Sequence, residues 1–133
     1  MKVEINEQPK KFYLAFRDKW MPVIGHEMSI GKYKFSVVAT PKATIFSDIT
    51  SGIKIMSFPM NILIHMITST KEDTMEYYMD IGEKVKSFIE KTSNFDLDLE
   101  KMRKMSLDIL GERPPIEDVD EDMILAGKSD FIH

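Results

Sequence analysis

The chain has 133 residues, 43% of them apolar and none of them cysteine, with a formal net charge of −4. That length suits one ordinary domain and is too short for two well-buried cores. The apolar share excludes a wholly disordered chain. The lack of cysteine excludes structural disulfides and cysteine-ligated zinc, and it points to a reducing, cytoplasmic setting. Charge is unevenly spread: residues 1–60 carry nine Lys/Arg against five Asp/Glu, and residues 61–133 carry nine against seventeen. Such polarity can steer partners of either sign. Strand faces that use Lys and helix faces that use Glu and Asp give the same split without any partner.

The N-terminus lacks the apolar core of a signal peptide, and Val3 and Ile5 suit an edge strand. Phe12, Leu14 and Phe16 alternate with Lys11, Tyr13, Ala15 and Arg17, the spacing of a half-buried strand. His26 is expected in a loop. Around it, Gly25 to Lys32 imitates a phosphate loop, but five residues separate the glycines where four are needed, Tyr33 replaces the metal-binding hydroxyl, and a strand follows. Tyr33, Phe35, Val37 and Ala39 form a second alternating run, which Pro41 stops. Ala43–Ile49 and Ile53–Phe58 flank Thr50-Ser51-Gly52, a hairpin in which Gly52 supplies the positive φ of a tight turn.

The helical half begins near Pro59, since proline suits a first helical turn. The segment from Met60 to Ile67 is apolar nearly all round and therefore reads as buried, whether helix or strand; His65 within it reads as a core residue. Ser69-Thr70-Lys71-Glu72 has the pattern of a capping box. Met75, Tyr78, Ile81, Val85, Phe88 and Ile89 then recur at helical spacing as a core stripe. Asp96 suits the cap of a last helix carrying Leu99, Met102, Ser106, Ile109 and Leu110, closed by Gly111 and Pro114-Pro115.

From Glu112 onward the chain holds seven acids and two bases. A short helix over Glu117–Ala126 would place Val119, Met123 and Ile124 on one side, with Asp120 and Asp122 beside them. Alone it is too short to hold, so it must dock on its own domain or elsewhere. The expectation is an α+β fold: an antiparallel sheet of about four strands in the first half, packed against two or three helices in the second. Residues 1–111 form the domain and 112–133 an acidic tail.

Catalytic and metal patterns fail on inspection. His26-Glu27 lacks a second histidine at Ile30. Asp118, Asp120 and Asp122 begin like a calcium loop, but its sixth and twelfth positions are Met123 and Ser129. Asp48, Ser51 and His65 carry the residue types of a triad, yet the turn explains Ser51 fully. No cofactor or metal is expected. Lys11, Arg17, Lys32 and Lys34, interleaved with Tyr13 and Tyr33, offer a nucleic-acid face, although alternation tends to put aromatics and lysines on opposite sides. The longest apolar stretch, about ten residues, falls short of the ~20 needed to span a bilayer.

Small size, richness in Lys, Ile and Met, and the lack of catalytic signatures resemble the accessory proteins of bacteriophages and mobile elements in style, with no motif to carry a family. The expected function is a non-enzymatic protein-binding module that regulates or inhibits a partner. Its binding residues are expected in the tail: Val119, Met123, Ile124, Asp120 and Asp122, since acidic-plus-apolar helices commonly dock in grooves. Nucleic-acid binding through the basic strands is the alternative, and self-association is open.

Overall fold

The computed structural model describes residues 1–120. The strands are β1 (Val3–Ile5), β2 (Lys10–Phe16), β3 (Lys19–Ile30), β4 (Tyr33–Ala39), β5 (Ala43–Asp48), β6 (Lys54–Pro59) and β7 (Glu117–Asp118). The helices are α1 (Ile62–Ile67), α2 (Lys71–Lys91) and α3 (Phe95–Leu110). The fold is α+β, as expected, but the sheet has seven antiparallel strands among the described residues rather than about four. Their order is β6-β5-β4-β3-β2-β7, with β1 paired to the far end of β3.

Two strands are missing from the sequence reading, the short β7 and β3, which is twelve residues long. Its first part pairs with β2 from Lys19 to Gly25, and its last five residues pair with β4 from His26 to Ile30. The buried positions are Val23 and Gly25, then Met28 and Ile30. The inward phase therefore slips by one residue as the strand passes from one core to the other, and a slipped phase hides a period of two. Gly25 permits the crossing, because an added Cβ would collide with the Val37 carbonyl oxygen. His26 accordingly lies in a strand and not in a loop.

Two cores result. The larger lies between one sheet face and the helices, built around Met28, Phe35, Phe46, Tyr78, Val85 and Leu99. The smaller joins Phe12, Val23 and Val38, with Leu14 and Ile116 packed against them. Covered from both sides, β4 is buried at four successive residues, Phe35 to Val38. Fully burying each large apolar side chain contributes about 1.5–3 kcal/mol. Phe16, on the same alternation as Phe12, is exposed at the strand end.

The β5–β6 hairpin forms as predicted. Gly52 has φ +68°, and a Cβ there would press on the Ala15 nitrogen and Tyr13 oxygen at 2.7 Å. The Ala15 N–H donates to the Gly52 carbonyl at 2.9 Å, so β2 curls over the turn. In the same turn the Asp48 carboxylate accepts the Ser51 N–H at 2.9 Å, and Arg103 grips it with Nη2 at 2.9 Å and Nε at 3.2 Å. The Ser106 hydroxyl donates to the Ser51 carbonyl at 2.8 Å. These contacts fasten α3 to the hairpin.

Helix boundaries depart from the sequence reading in several places. Pro59 ends β6 and does not open a helix, and α1 begins after the cap Asn61. Thr70 caps α2, not Ser69. On α2 the stripe Met75, Tyr78, Ile81, Val85 and Ile89 is buried as predicted, but Phe88 is 39% exposed. It lies about a quarter turn off the stripe axis and meets Phe95 edge-on, ring centroids 6.3 Å apart. Asp96 does not cap α3. Asn94 holds that position, left-handed at φ 62° and making no side-chain cap bond. Asp96 instead accepts from Lys32 Nζ at 2.9 Å and the Tyr33 hydroxyl at 2.6 Å. Leu99 and Ser106 are buried, whereas Ile109 is exposed.

After Gly111, at φ +79°, the chain returns along the sheet. Glu117 and Asp118 pair with Lys11 and Lys10 as strand β7, so the helix predicted from Glu117 does not begin there. Val119 and Asp120 do not continue as a helix, and residues 121–126 of the predicted helix lie outside the described residues.

Candidate functional site

A concavity of about 620 Å³ opens between α1, the first turns of α2 and the end of β4. Local sequence builds it step by step. The Met60 N–H donates to the Lys42 carbonyl at 2.8 Å, which stops the chain beside the start of β5. The Asn61 side chain accepts the Ile64 N–H at 2.9 Å and starts α1. The Thr68 hydroxyl donates to the Ile64 carbonyl at 2.8 Å and closes the helix after six residues. The Thr74 hydroxyl donates to the Thr68 and Thr70 carbonyls at 3.0 and 2.8 Å, binding the α1–α2 joint to α2.

Tyr77 and Tyr78 line the concavity from α2, with ring centroids 6.3 Å apart. Burial pushes the Tyr78 phenol up to about 12, with Tyr77 adding to the effect, and burial raises Tyr77 as well. Both rings are therefore neutral near pH 7 and act as apolar walls with polar tips. His65 and Ile62 form the opposite wall on α1. His65 is exposed and not a core residue.

Ile62 also belongs to a second surface. The segment expected to be buried has no buried residue at all. Ile62 is 80% exposed, Leu63 67%, Met66 66% and Ile67 55%. At 100° per residue these four occupy one contiguous face of α1, while Ile64 and Thr68 turn inward. The face presents four neighbouring apolar side chains to solvent, and contiguous exposed apolar patches often serve as interaction sites. It adjoins the concavity through Ile62.

The sequence-predicted sites fare differently. Val119 is buried against its own sheet edge: its N–H donates to the Pro9 carbonyl at 3.0 Å, and its carbonyl accepts from Gln8 Nε2 at 2.8 Å. Asp120 is exposed beside Lys71, both lining a shallow depression with Glu7, Gln8 and Pro9. Asp122, Met123 and Ile124 lie outside the described residues.

The four basic candidates do not share one face. Lys11 pairs with Ile24 and lies over the Tyr13 ring, on the opposite side of β2 from Lys10. Lys34 shares Glu27 with Lys10, at 3.7 and 3.8 Å. Lys32 is held by Asp96, and Arg17, at φ 58° in the β2–β3 turn, stacks on Phe16. Asp48, Ser51 and His65 are not a triad: the Ser51 hydroxyl accepts the Ile53 N–H at 3.2 Å, while His65 stands exposed on α1. Among the described residues no group of three or more potential ligands could hold a metal ion, and no helix is long and apolar enough to cross a membrane.

Sequence reasoning missed Ile62, Leu63, Met66 and Ile67. Their signal was a two-turn helix apolar on every side between an Asn cap and a Thr stop, which a single neighbouring layer cannot cover. Comparison with protein-family models, with curated proteins and with solved structures returned no match.

Proposed function

We propose that the protein is a non-enzymatic protein-binding module that docks a short apolar segment of another protein on α1 and its adjoining concavity. The observation that carries this reading is the position of Ile62, 80% exposed and common to the open apolar face and the concavity. A partner segment would lie along Ile62, Leu63, Met66 and Ile67 and insert an anchoring side chain between His65 and the two tyrosines. Central apolar anchors in desolvated pockets dominate such interfaces.

The chemistry of the concavity supports binding over catalysis. Its threonine hydroxyls are spent on backbone: Thr40 donates to the Ala43 carbonyl at 2.8 Å, and Thr68 and Thr74 bond as described. Among the described residues, no serine or cysteine lines it for His65 to activate. Lys10, Lys32 and Lys34 are engaged by the chain's own carboxylates, which weighs against the nucleic-acid alternative.

The test is photocrosslinking in the full chain, with benzoylphenylalanine in place of Leu63 and, as control, of Glu83 on the outer face of α2. The reading expects one discrete protein adduct at position 63, mapping to an apolar stretch of the partner and lost when Ile62→Asp is added. Equal or diffuse adducts at both positions would overturn it. Crosslinks to RNA or DNA would favour the alternative.

A further inference from the structure

Several polar groups around the concavity beside α1 are already engaged. The Asn61 side-chain oxygen accepts the Ile64 N–H, and the hydroxyls of Thr40, Thr68 and Thr74 donate to backbone carbonyls. Tyr78 differs. It is 5% exposed and lines the concavity, yet its hydroxyl makes no hydrogen bond among the described residues. A buried hydroxyl without a partner is destabilising and calls for an explanation. With its value pushed up to about 12, the phenol is protonated near pH 7 and can both donate and accept.

The rest of the wall specifies what can meet that hydroxyl. Pro41, Met60 and Ile62 supply apolar surface, and the rings of Tyr77 and Tyr78 supply flat surface, which suits a planar body. Among the described residues no Asp, Glu, Lys or Arg lines the space. A charged ligand would lose its water there without gaining a counter-charge. The volume, about 620 Å³, falls within the roughly 300–1,000 Å³ of sites that hold small organic molecules. Such sites combine mostly apolar walls with a few polar groups that fix orientation.

We propose that the concavity is a binding site for a small uncharged organic molecule with a planar ring body and one polar end, a hydroxyl or carbonyl, that hydrogen-bonds the Tyr78 hydroxyl. The ring body lies against the two tyrosines, with Ile62 and His65 on its other side. This site goes beyond the docking proposed above and stands without it. Where both hold, the molecule and the partner's anchoring side chain exclude each other from the same space.

Three probes test the site: 2-naphthol, naphthalene and 2-naphthoate, which share a ring body and differ at the polar end. Titrated into the full chain near pH 7, 2-naphthol should shift the methyl signals of Ala39, Met60 and Ile62 and leave those of Val85 and Leu99 unmoved. Its affinity should exceed that of naphthalene by about fivefold, the worth of one hydrogen bond. It should exceed that of 2-naphthoate by about tenfold or more, because the carboxylate stays unpaired. Tyr78→Phe should abolish the preference for 2-naphthol over naphthalene while naphthalene still binds. Unshifted methyls at the concavity would overturn the proposal, as would equal affinity for 2-naphthol and naphthalene or for 2-naphthol and 2-naphthoate in the unaltered chain. A preference for 2-naphthol that survives in Tyr78→Phe would overturn it too. The comparison of probes in the unaltered chain holds whether or not the variant folds. Crosslinking from position 63 reads the docking separately. A discrete adduct without 2-naphthol binding removes this site and keeps the docking surface, and Tyr78-dependent 2-naphthol binding without an adduct does the reverse.

Discussion

Val85 and Phe88 lie one helical turn apart on α2, and their exposures differ because only Val85 sits on the stripe axis. Val85→Ala empties space in the larger core and should cost about 2 kcal/mol, whereas Phe88→Ala removes one edge contact and should cost ~1 kcal/mol or less. Urea titration of the two variants checks the order; a larger loss at Phe88 would contradict the placement of α2. Asp48 is buried and depends on Arg103. Arg103→Ala strands that carboxylate and should cost about 3 kcal/mol, and adding Asp48→Asn should recover part of the loss by removing the charge. Tyr78 gives a pH dependence. Its folded value, about 12, lies above the ordinary 10, so its contribution is complete below pH 10 and is lost as pH rises through the folded value. Alkaline titration should show a stability loss on the order of 2–3 kcal/mol between those limits, and Tyr78→Phe should remove it. A loss that persists in the phenylalanine variant would place the ionisation elsewhere.

Among the elements, those with a single buried face were legible. The alternation of Tyr33 to Ala39, the turn at Gly52 and the stripe from Met75 to Ile89 each carry one period and one core. The illegible elements break that condition. The inward phase of β3 slips between Gly25 and Met28, because the strand serves two cores. The two residues of β7 are acidic and carry no pattern; Lys10, Lys11 and the bonds to Val119 make them a strand. The apolar composition of α1 reads as burial, yet exposure depends on what tertiary neighbours cover, and that information lies outside the segment. The same absence of neighbours predicts its dynamics. A six-residue helix with no buried residue holds mainly through its caps, since nucleation is costly and packing normally supplies helix stability. Hydrogen exchange should therefore be fast at Leu63 to Ile67 and slow at Ile81 to Ile89. Protection of α1 equal to that of α2 would contradict this.

For the whole molecule, α1 presents an exposed apolar surface, while Lys10 and Lys34 pair with Glu27 and Lys32 pairs with Asp96. Lys32–Asp96 and Lys10–Asp118 join the basic and acidic halves of the sequence, and α1 is the exposed apolar surface on which the docking reading rests. The most direct measurement is the affinity of the crosslinked partner, once purified, for three full-length chains: unaltered, Ile62→Asp and Lys34→Glu. Ile62 and Lys34 are both exposed, so neither substitution should disturb folding. Docking on α1 predicts at least a tenfold loss, about 1.4 kcal/mol, for Ile62→Asp, with Lys34→Glu near the unaltered chain at all salt concentrations. Undiminished affinity in Ile62→Asp, with a steep salt-dependent loss in Lys34→Glu, would contradict the account.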